Sequence, residues 1–331
     1  MRTHTALALV VSAGLLGVAP SVPLVGVARG EESMRQPASR APESVRLAAF
    51  FEAGQSMRYS LGVATTVTQT ENDAEPTTMR LEQALTLDLS VTSVDERGAV
   101  LEGKIVGVKL GTDWRGNFYE YAWPQLTTEV PTVPMPPFVL LRLMGERARE
   151  ATLRVRVDAP SDGAAGRVTV SGFESPATAL ENQAVFDASA LGMMTNEQVA
   201  QALQTAFFVE GALDRPRRAK TGWQSAERVD MGPAGAIEVS TEWAVDQISA
   251  RLAKIDGRPR AAVLPPASTD PTAPSVRIAE QAGSVMILWD HTRGLLQRRE
   301  SKQTMTTVWT SGPATLTQRQ ETTAAIELLT P

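Results

Sequence analysis

Long stretches of the chain alternate apolar and polar residues with a period of two. Met57, Tyr59, Leu61, Val63, Thr65 and Val67 share one parity; Arg58, Ser60, Gly62, Ala64, Thr66 and Thr68 take the other. Successive strand side chains point to opposite faces, so such a segment predicts a strand with one buried and one wet face. Met79, Leu81, Leu85, Leu87, Leu89 and Val91 repeat the pattern against Arg80, Glu82, Thr86, Asp88, Ser90 and Thr92. Asp95-Glu96-Arg97-Gly98 then predicts a tight turn, with a return strand over Ala99 to Leu110.

Shorter segments carry the same signal. Leu153, Val155 and Val157 lead to a turn at Ser161-Asp162-Gly163, and Val168 and Val170 follow. Ile237, Val239, Trp243 and Val245 alternate, and so do Val285, Ile287 and Trp289 ahead of the turn Asp290-His291-Thr292-Arg293-Gly294. Leu316, Thr322, Ala324, Ile326 and Leu328 mark a last strand after Ser311-Gly312-Pro313. One-sided alternation with short turns predicts antiparallel sheets; buried parallel strands would read as continuous apolar runs.

Helical spacing appears twice. Thr195 and Gln198 have the separation of a capping box, and Val199, Leu203, Ala206 and Phe207 then fall on one face. A helix is predicted over Met193 to Phe208, and a weaker one over Phe138 to Arg149. Proline-rich stretches at Pro124–Pro137 and Pro265–Pro274 predict extended surface loops, because proline cannot donate to a central ladder. The expected fold class is mainly β with a minor helical part. It consists of antiparallel sheets forming a curved sandwich or open barrel, with one amphipathic helix near 195–208.

The N-terminus changes the setting. Met1-Arg2-Thr3-His4 is a short basic segment, and Ala6 to Val18 is apolar but too short to span a bilayer. Small residues at Gly26, Ala28 and Gly30 offer cleavage sites. Residues 1–28 read as a signal peptide and 29–45 as a flexible linker. An N-terminal antiparallel β region follows over 46–175, a helical connector over 176–221 and a C-terminal antiparallel β region over 222–331. The two β regions read equally well as one continuous domain. With no transmembrane span in the mature chain, the expectation is an exported bacterial protein, periplasmic or extracellular.

Composition removes several chemistries. The chain has no cysteine and two histidines, His4 and His291, of which the first leaves with the leader. Disulfides, thiolate metal sites and a histidine-built zinc centre are therefore excluded within one chain. Apolar residues make up 43% and the net charge is -5, with no Lys/Arg cluster, so no nucleic-acid partner is expected. No cofactor and no metal ligand set is read.

The remaining candidates for chemistry are few. Gly98-Ala99-Val100-Leu101-Glu102-Gly103-Lys104 matches the front of a phosphate-binding loop. Ile105 stands where Ser/Thr should follow, and the segment lies on a hairpin strand, so the match is rejected. Asp290-His291 reads either as a base oriented by a carboxylate or as a turn in which the aspartate bonds its own backbone. Asp113 and Glu120 are the candidate carboxylate pair for a hydrolase. Among and beside them lies an aromatic cluster: Trp114, Phe118, Tyr119, Tyr121 and Trp123. Exposed, it would bind apolar ligands or sugar rings; buried, it is sheet core.

The order of short motifs carries a resemblance. Phe51-Glu52-Ala53-Gly54, Val91 to Ala99, Leu141 to Gly145, Leu153-Arg154-Val155 and Gly166 to Gly172 precede the helix. Gly222-Trp223, Trp289-Asp290 and Gly294-Leu295 come after it. Over Leu47 to Trp309 this resembles a family of exported bacterial proteins catalogued only as a domain of unknown function. The family has no catalytic residues to carry over. Three functions follow as expectations: a non-enzymatic binding module for a hydrophobic or lipid-like ligand, an envelope hydrolase using paired carboxylates, or a structural module that engages an envelope protein through an exposed strand edge.

Overall fold

The structure is a computed structural model. It describes residues 41–72, 74–114, 116–124, 136–160, 166–173, 195–212, 215–231, 234–265 and 274–329. The turn expected at Ser161-Asp162-Gly163 and most of both proline-rich stretches lie outside these residues.

Nearly all the strands belong to one antiparallel sheet of twelve. The first half contributes β2 (Ser56–Glu71), β3 (Thr77–Asp95), β4 (Gly98–Trp114), β5 (Asn117–Trp123), β6 (Thr152–Asp158) and β7 (Arg167–Ser171). The second contributes β9 (Gly222–Asp230), β10 (Ala236–Ile248), β11 (Leu252–Leu264), β12 (Ser275–Asp290), β13 (Leu295–Ser311) and β14 (Ala314–Leu329). The order is β7-β6-β4-β3-β2-β14-β13-β12-β11-β10-β9, with β5 attached to β4. The two β regions are thus joined where β2 pairs with β14, Leu61 facing Ile326 and Tyr59 facing Leu328. The sheet is open, not a closed barrel.

The alternation read from the sequence becomes the two faces. Tyr59, Leu61, Leu85, Leu87, Leu101, Leu153, Val155, Ile255, Ile287 and Ile326 all contribute to one buried core on the concave side. That core is filled by helix α2 (Asn196–Phe207), which is the predicted amphipathic helix. Thr195 caps it, its Oγ1 accepting from the Gln198 N–H at 3.3 Å. Val199, Leu203, Ala206 and Phe207 are its buried stripe. Phe207 meets Phe51 edge-on at 5.1 Å and Tyr59 at 6.1 Å.

Helix α2 also shows why the sheet curls. It packs on both β7 and β13, which lie six positions apart in the strand order. In a flat sheet they would be roughly 29 Å apart at about 4.8 Å per strand, while this twelve-residue helix is about 18 Å long and, with its side chains, about 10–12 Å wide. One helix reaches both strands only if the sheet wraps it. The N-terminal segment joins this filling: β1 (Ser44–Val45) pairs with β8 (Arg217–Arg218), and Ala48 bridges Phe208. The end of the segment read as a linker is therefore part of the fold, with Val45 buried in it and Leu47 buried just after it.

Helix α1 (Pro136–Glu150) covers the β4–β5 flap. Its buried side is Leu141, Met144 and Ala148, with Gly145 between them, and Arg147 and Arg149 sit in its last turn, where the dipole favours cations.

Candidate functional site

The ladder of the large sheet breaks at one seam. Strands β11 and β12 pair from Leu252 opposite Asp290 to Gly257 opposite Val285, and the pairing stops there. Continued in register, Pro259 would face Gly283 and Ala261 would face Gln281. Three features end the pairing. Pro259 has no N–H to donate. Its ring lies so close to Gly283 that a Cβ there would sit 2.6 Å from Pro259 Cγ. A bulge between Ile278 and Glu280 bends β12 locally. Each strand keeps its other neighbour, β10 or β13, up to its end.

A cleft of about 380 Å³ occupies the parting, with Ala261 and Val263 on one wall and Val276, Ile278 and Glu280 on the other. Its inner side rests on a small apolar cluster of Met231, Ala234, Ile237, Ala261, Met305 and Trp309. Gln281 spans the gap. The Ala261 N–H donates to its Oε1 at 2.6 Å, and its Nε2 donates to the Ala261 carbonyl at 3.0 Å. The carboxamide therefore does what one peptide unit of a neighbouring strand would do.

Between this cluster and the main core, the concave wall is polar. Thr65, Gln83, Thr241, Ser301, Thr307, Gln318, Gln320 and Thr322 are all buried. Gln320 Nε2 donates to Thr322 Oγ1 at 3.1 Å. Neither end of the Gln83 carboxamide, nor Oε1 of Gln318 or Gln320, meets a hydrogen-bond partner among the described residues. These residues sit at positions whose parity puts them inside, whatever their polarity.

A charged group borders the band. Arg299 is 1% exposed. Its Nη1 donates to both oxygens of Glu210, at 3.1 and 3.2 Å, and its guanidinium lies 5.6 Å from the Trp243 ring centre. Trp243 stacks on Trp223 at 6.3 Å. The Glu227 side chain keeps contact with solvent, yet partial desolvation by the surrounding chain lifts its carboxyl above the usual range, and the Glu210 charge adds to the effect.

The candidate residues read from the sequence lie elsewhere. Tyr121 is 5% exposed, under α1. Tyr119 and Trp123 are half-buried against the same core, and Arg149 lies over the Trp123 ring at 5.5 Å. Phe118 is on the opposite, outer face, resting on Gly111 with Arg80 over it at 5.0 Å. The side chain of Trp114 lies outside the described residues. The five therefore do not share one open face. Asp113 and Glu120 are also on the outer face and already engaged. Asp113 Oδ2 accepts the Arg80 N–H at 2.8 Å, and Glu120 pairs with Lys109 at 2.9 Å. Asp290 is a turn cap: its Oδ1 accepts from Thr292 N, Thr292 Oγ1 and Arg293 N, and its Oδ2 from Arg251. His291 is held by the Ser249 carbonyl at 3.0 Å, not by Asp290.

Sequence reading missed the seam. The signal for it was Pro259 inside a run whose odd residues, Ala253, Ile255, Ala261 and Val263, keep strand parity; a proline there marks an edge.

Among the described residues no group of His, Cys, Asp or Glu could hold a metal ion, and no helix is long and apolar enough to cross a membrane. No protein-family model matches the chain, and no curated protein matches its sequence. Among solved structures, it is similar to lipovitellin at 11% identity and a TM-score of 0.39, over 85% of this chain. The chain spans 26% of the length of that protein. DynF from the dynemicin biosynthesis pathway of Micromonospora chersina aligns at 8% identity and TM-score 0.17, over 90% of this chain and 92% of its own. OpdL of Pseudomonas aeruginosa aligns at 7% and 0.22, over 83% and 99%. Similarities at this level carry no functional argument, so the functional reading rests on the seam itself.

Proposed function

We propose that this chain is an exported cell-envelope binding protein, not an enzyme, and that its ligand lies in the cleft between β11 and β12 with an apolar face turned inward. The observation that carries the reading is the interrupted ladder: a concave slot in the middle of a sheet, backed by apolar side chains and bordered by strand backbone. Its volume of about 380 Å³ falls within the range of about 300–1,000 Å³ found for ligand pockets. The apolar segment Ala6–Val18 and the resemblance to exported bacterial proteins support the envelope assignment.

Native mass spectrometry of the protein gently released from its own envelope tests this. A non-covalent adduct is expected on the parent protein. It should be lost from Ile278→Arg, which places a charge on the apolar wall. Only the bare mass in both would overturn the reading. The mature mass gives the leader cleavage site in the same measurement.

A further inference from the structure

We propose that the occupant of the cleft is an extended peptide with alternating apolar and acidic side chains, inserted as an additional strand between β11 and β12. The inference rests on the binding reading above and names its ligand class.

Three observations support a strand over an alkyl chain. First, Ala261 directs both its N–H and its carbonyl into the cleft, and Gln281 satisfies both with one carboxamide. Antiparallel pairing turns both groups of every second residue to the same side, so Val263 presents the next such pair. An alkyl chain would displace the carboxamide and satisfy neither group, whereas a peptide unit replaces it bond for bond.

Second, the molecule contains a contrasting version of the same device. At the outer edge of β7, Gln204 bonds the Val168 N–H and the Gly166 carbonyl, both at 2.7 Å. That glutamine comes from α2, which packs on β7 and covers the edge. Gln281 is solvent-exposed on the seam strand itself. Rotation of that one side chain releases both backbone groups of Ala261.

Third, the two sides of the slot differ in charge and polarity. Inward positions are apolar: Ala261, Val263, Val276 and Ile278 lie against the second cluster. On the outer face of the two seam strands Arg260 and Arg277 are exposed and form no ion pair among the described residues, against one acid, Glu280; Glu238 and Glu242 lie one strand further away, on β10. A strand in the slot would place alternate side chains on these two surfaces, apolar inward and acidic outward. Pro259 and the exposed arginines also discourage pairing with unselected strands, which makes the slot selective.

The test is fluorescence anisotropy with the mature protein and a labelled, end-blocked peptide of alternating valine and glutamate, long enough to span Arg260–Leu264. Saturable binding is expected, weakened by salt. Replacing glutamate by lysine should weaken it several-fold. N-methylating the residues that face Ala261 keeps every side chain but removes ladder donors, and should weaken binding about tenfold or more. Gln281→Ala, at an exposed position, should tighten binding by removing the internal competitor. Equal affinity for parent and N-methylated peptides would overturn strand insertion. Binding of a fluorescent fatty acid, lost in Ile278→Arg, with no peptide binding would overturn the peptide while leaving the cleft as a ligand site. Binding of neither probe to folded protein would overturn both.

Discussion

Replacing Gly145 by alanine sets two effects of known size against each other. In a helix interior alanine is favoured over glycine by about 1 kcal/mol. The new Cβ, however, would stand 2.0 Å from Cε1 and 2.5 Å from Cδ1 of Tyr121, where ordinary contact begins at 3.4 Å. Tyr121 has little room to retreat: it is buried on β5 beneath the side of α1 that carries Leu141, Met144 and Ala148. The ring must turn or α1 must lift by more than an ångström, and such overpacking costs about 1–3 kcal/mol. The clash wins, and Gly145→Ala should destabilise the protein by roughly 1–2 kcal/mol net.

The same substitution should change sign when the ring is absent. Tyr121→Ala alone costs about 3–5 kcal/mol, as for other large buried aromatics. In that background the methyl group added at position 145 enters vacated space, only the helix preference remains, and Gly145→Ala should stabilise by about 1 kcal/mol. The coupling between the two sites would then be roughly 2–3 kcal/mol. Urea unfolding of the four proteins, at a common m-value, measures it. If alanine stabilises the parent protein, or acts with the same sign in both backgrounds, α1 does not seal β5, and the aromatic strand returns as a ligand face.

Other expectations follow from buried or desolvated groups. Phe207→Ala empties the contact with Phe51 and Tyr59 and should cost about 3–5 kcal/mol by chemical denaturation; a cost under about 1 kcal/mol would mean that α2 does not fill the sheet. Glu227 has a folded pKa above its unfolded value, so it lowers stability once pH rises past the unfolded value, increasingly until the folded pKa is passed. Glu227→Gln should therefore raise the melting temperature at pH 8 and leave it nearly unchanged at pH 3; an equal gain at both would exclude the charge as cause. At Asp290 burial pushes the carboxyl up, but bonds from Thr292, Arg251 and Arg293 outweigh it and hold it below the usual range. Its contribution is present above the unfolded carboxylate pKa and disappears as pH falls through the folded one. Asp290→Ala should cost about 1–3 kcal/mol at pH 7, with a difference that narrows in acid; a pH-independent cost would point to packing instead.

Much of the strand content was legible because the pleat is local. Parity along β2, β3, β12 and β14 follows from side chains two residues apart, and no distant contact is needed to read it. The cap of α2 is equally local, a hydroxyl meeting an N–H three residues on. The seam was half-legible. Pro259 marks an edge, but proline cannot say which strand it fails to meet, and Gln281 reads as an ordinary exposed glutamine.

The residues alone thus dictate the face each side chain takes within its own strand, the turns, and the absence of cysteine and clustered histidine chemistry. Long-range packing was needed to establish that β2 closes against β14, that one helix draws β7 and β13 round itself, and that Gln83, Gln318 and Gln320 are buried despite their polarity. It was needed, too, to show that the aromatics of β5 lie partly beneath a helix while the candidate cleft opens on the far side of the strand order. The reason is physical. Alternation sets a direction relative to the sheet plane, whereas curvature and strand partners depend on what fills the concave side, and that filling comes from segments far away in the chain.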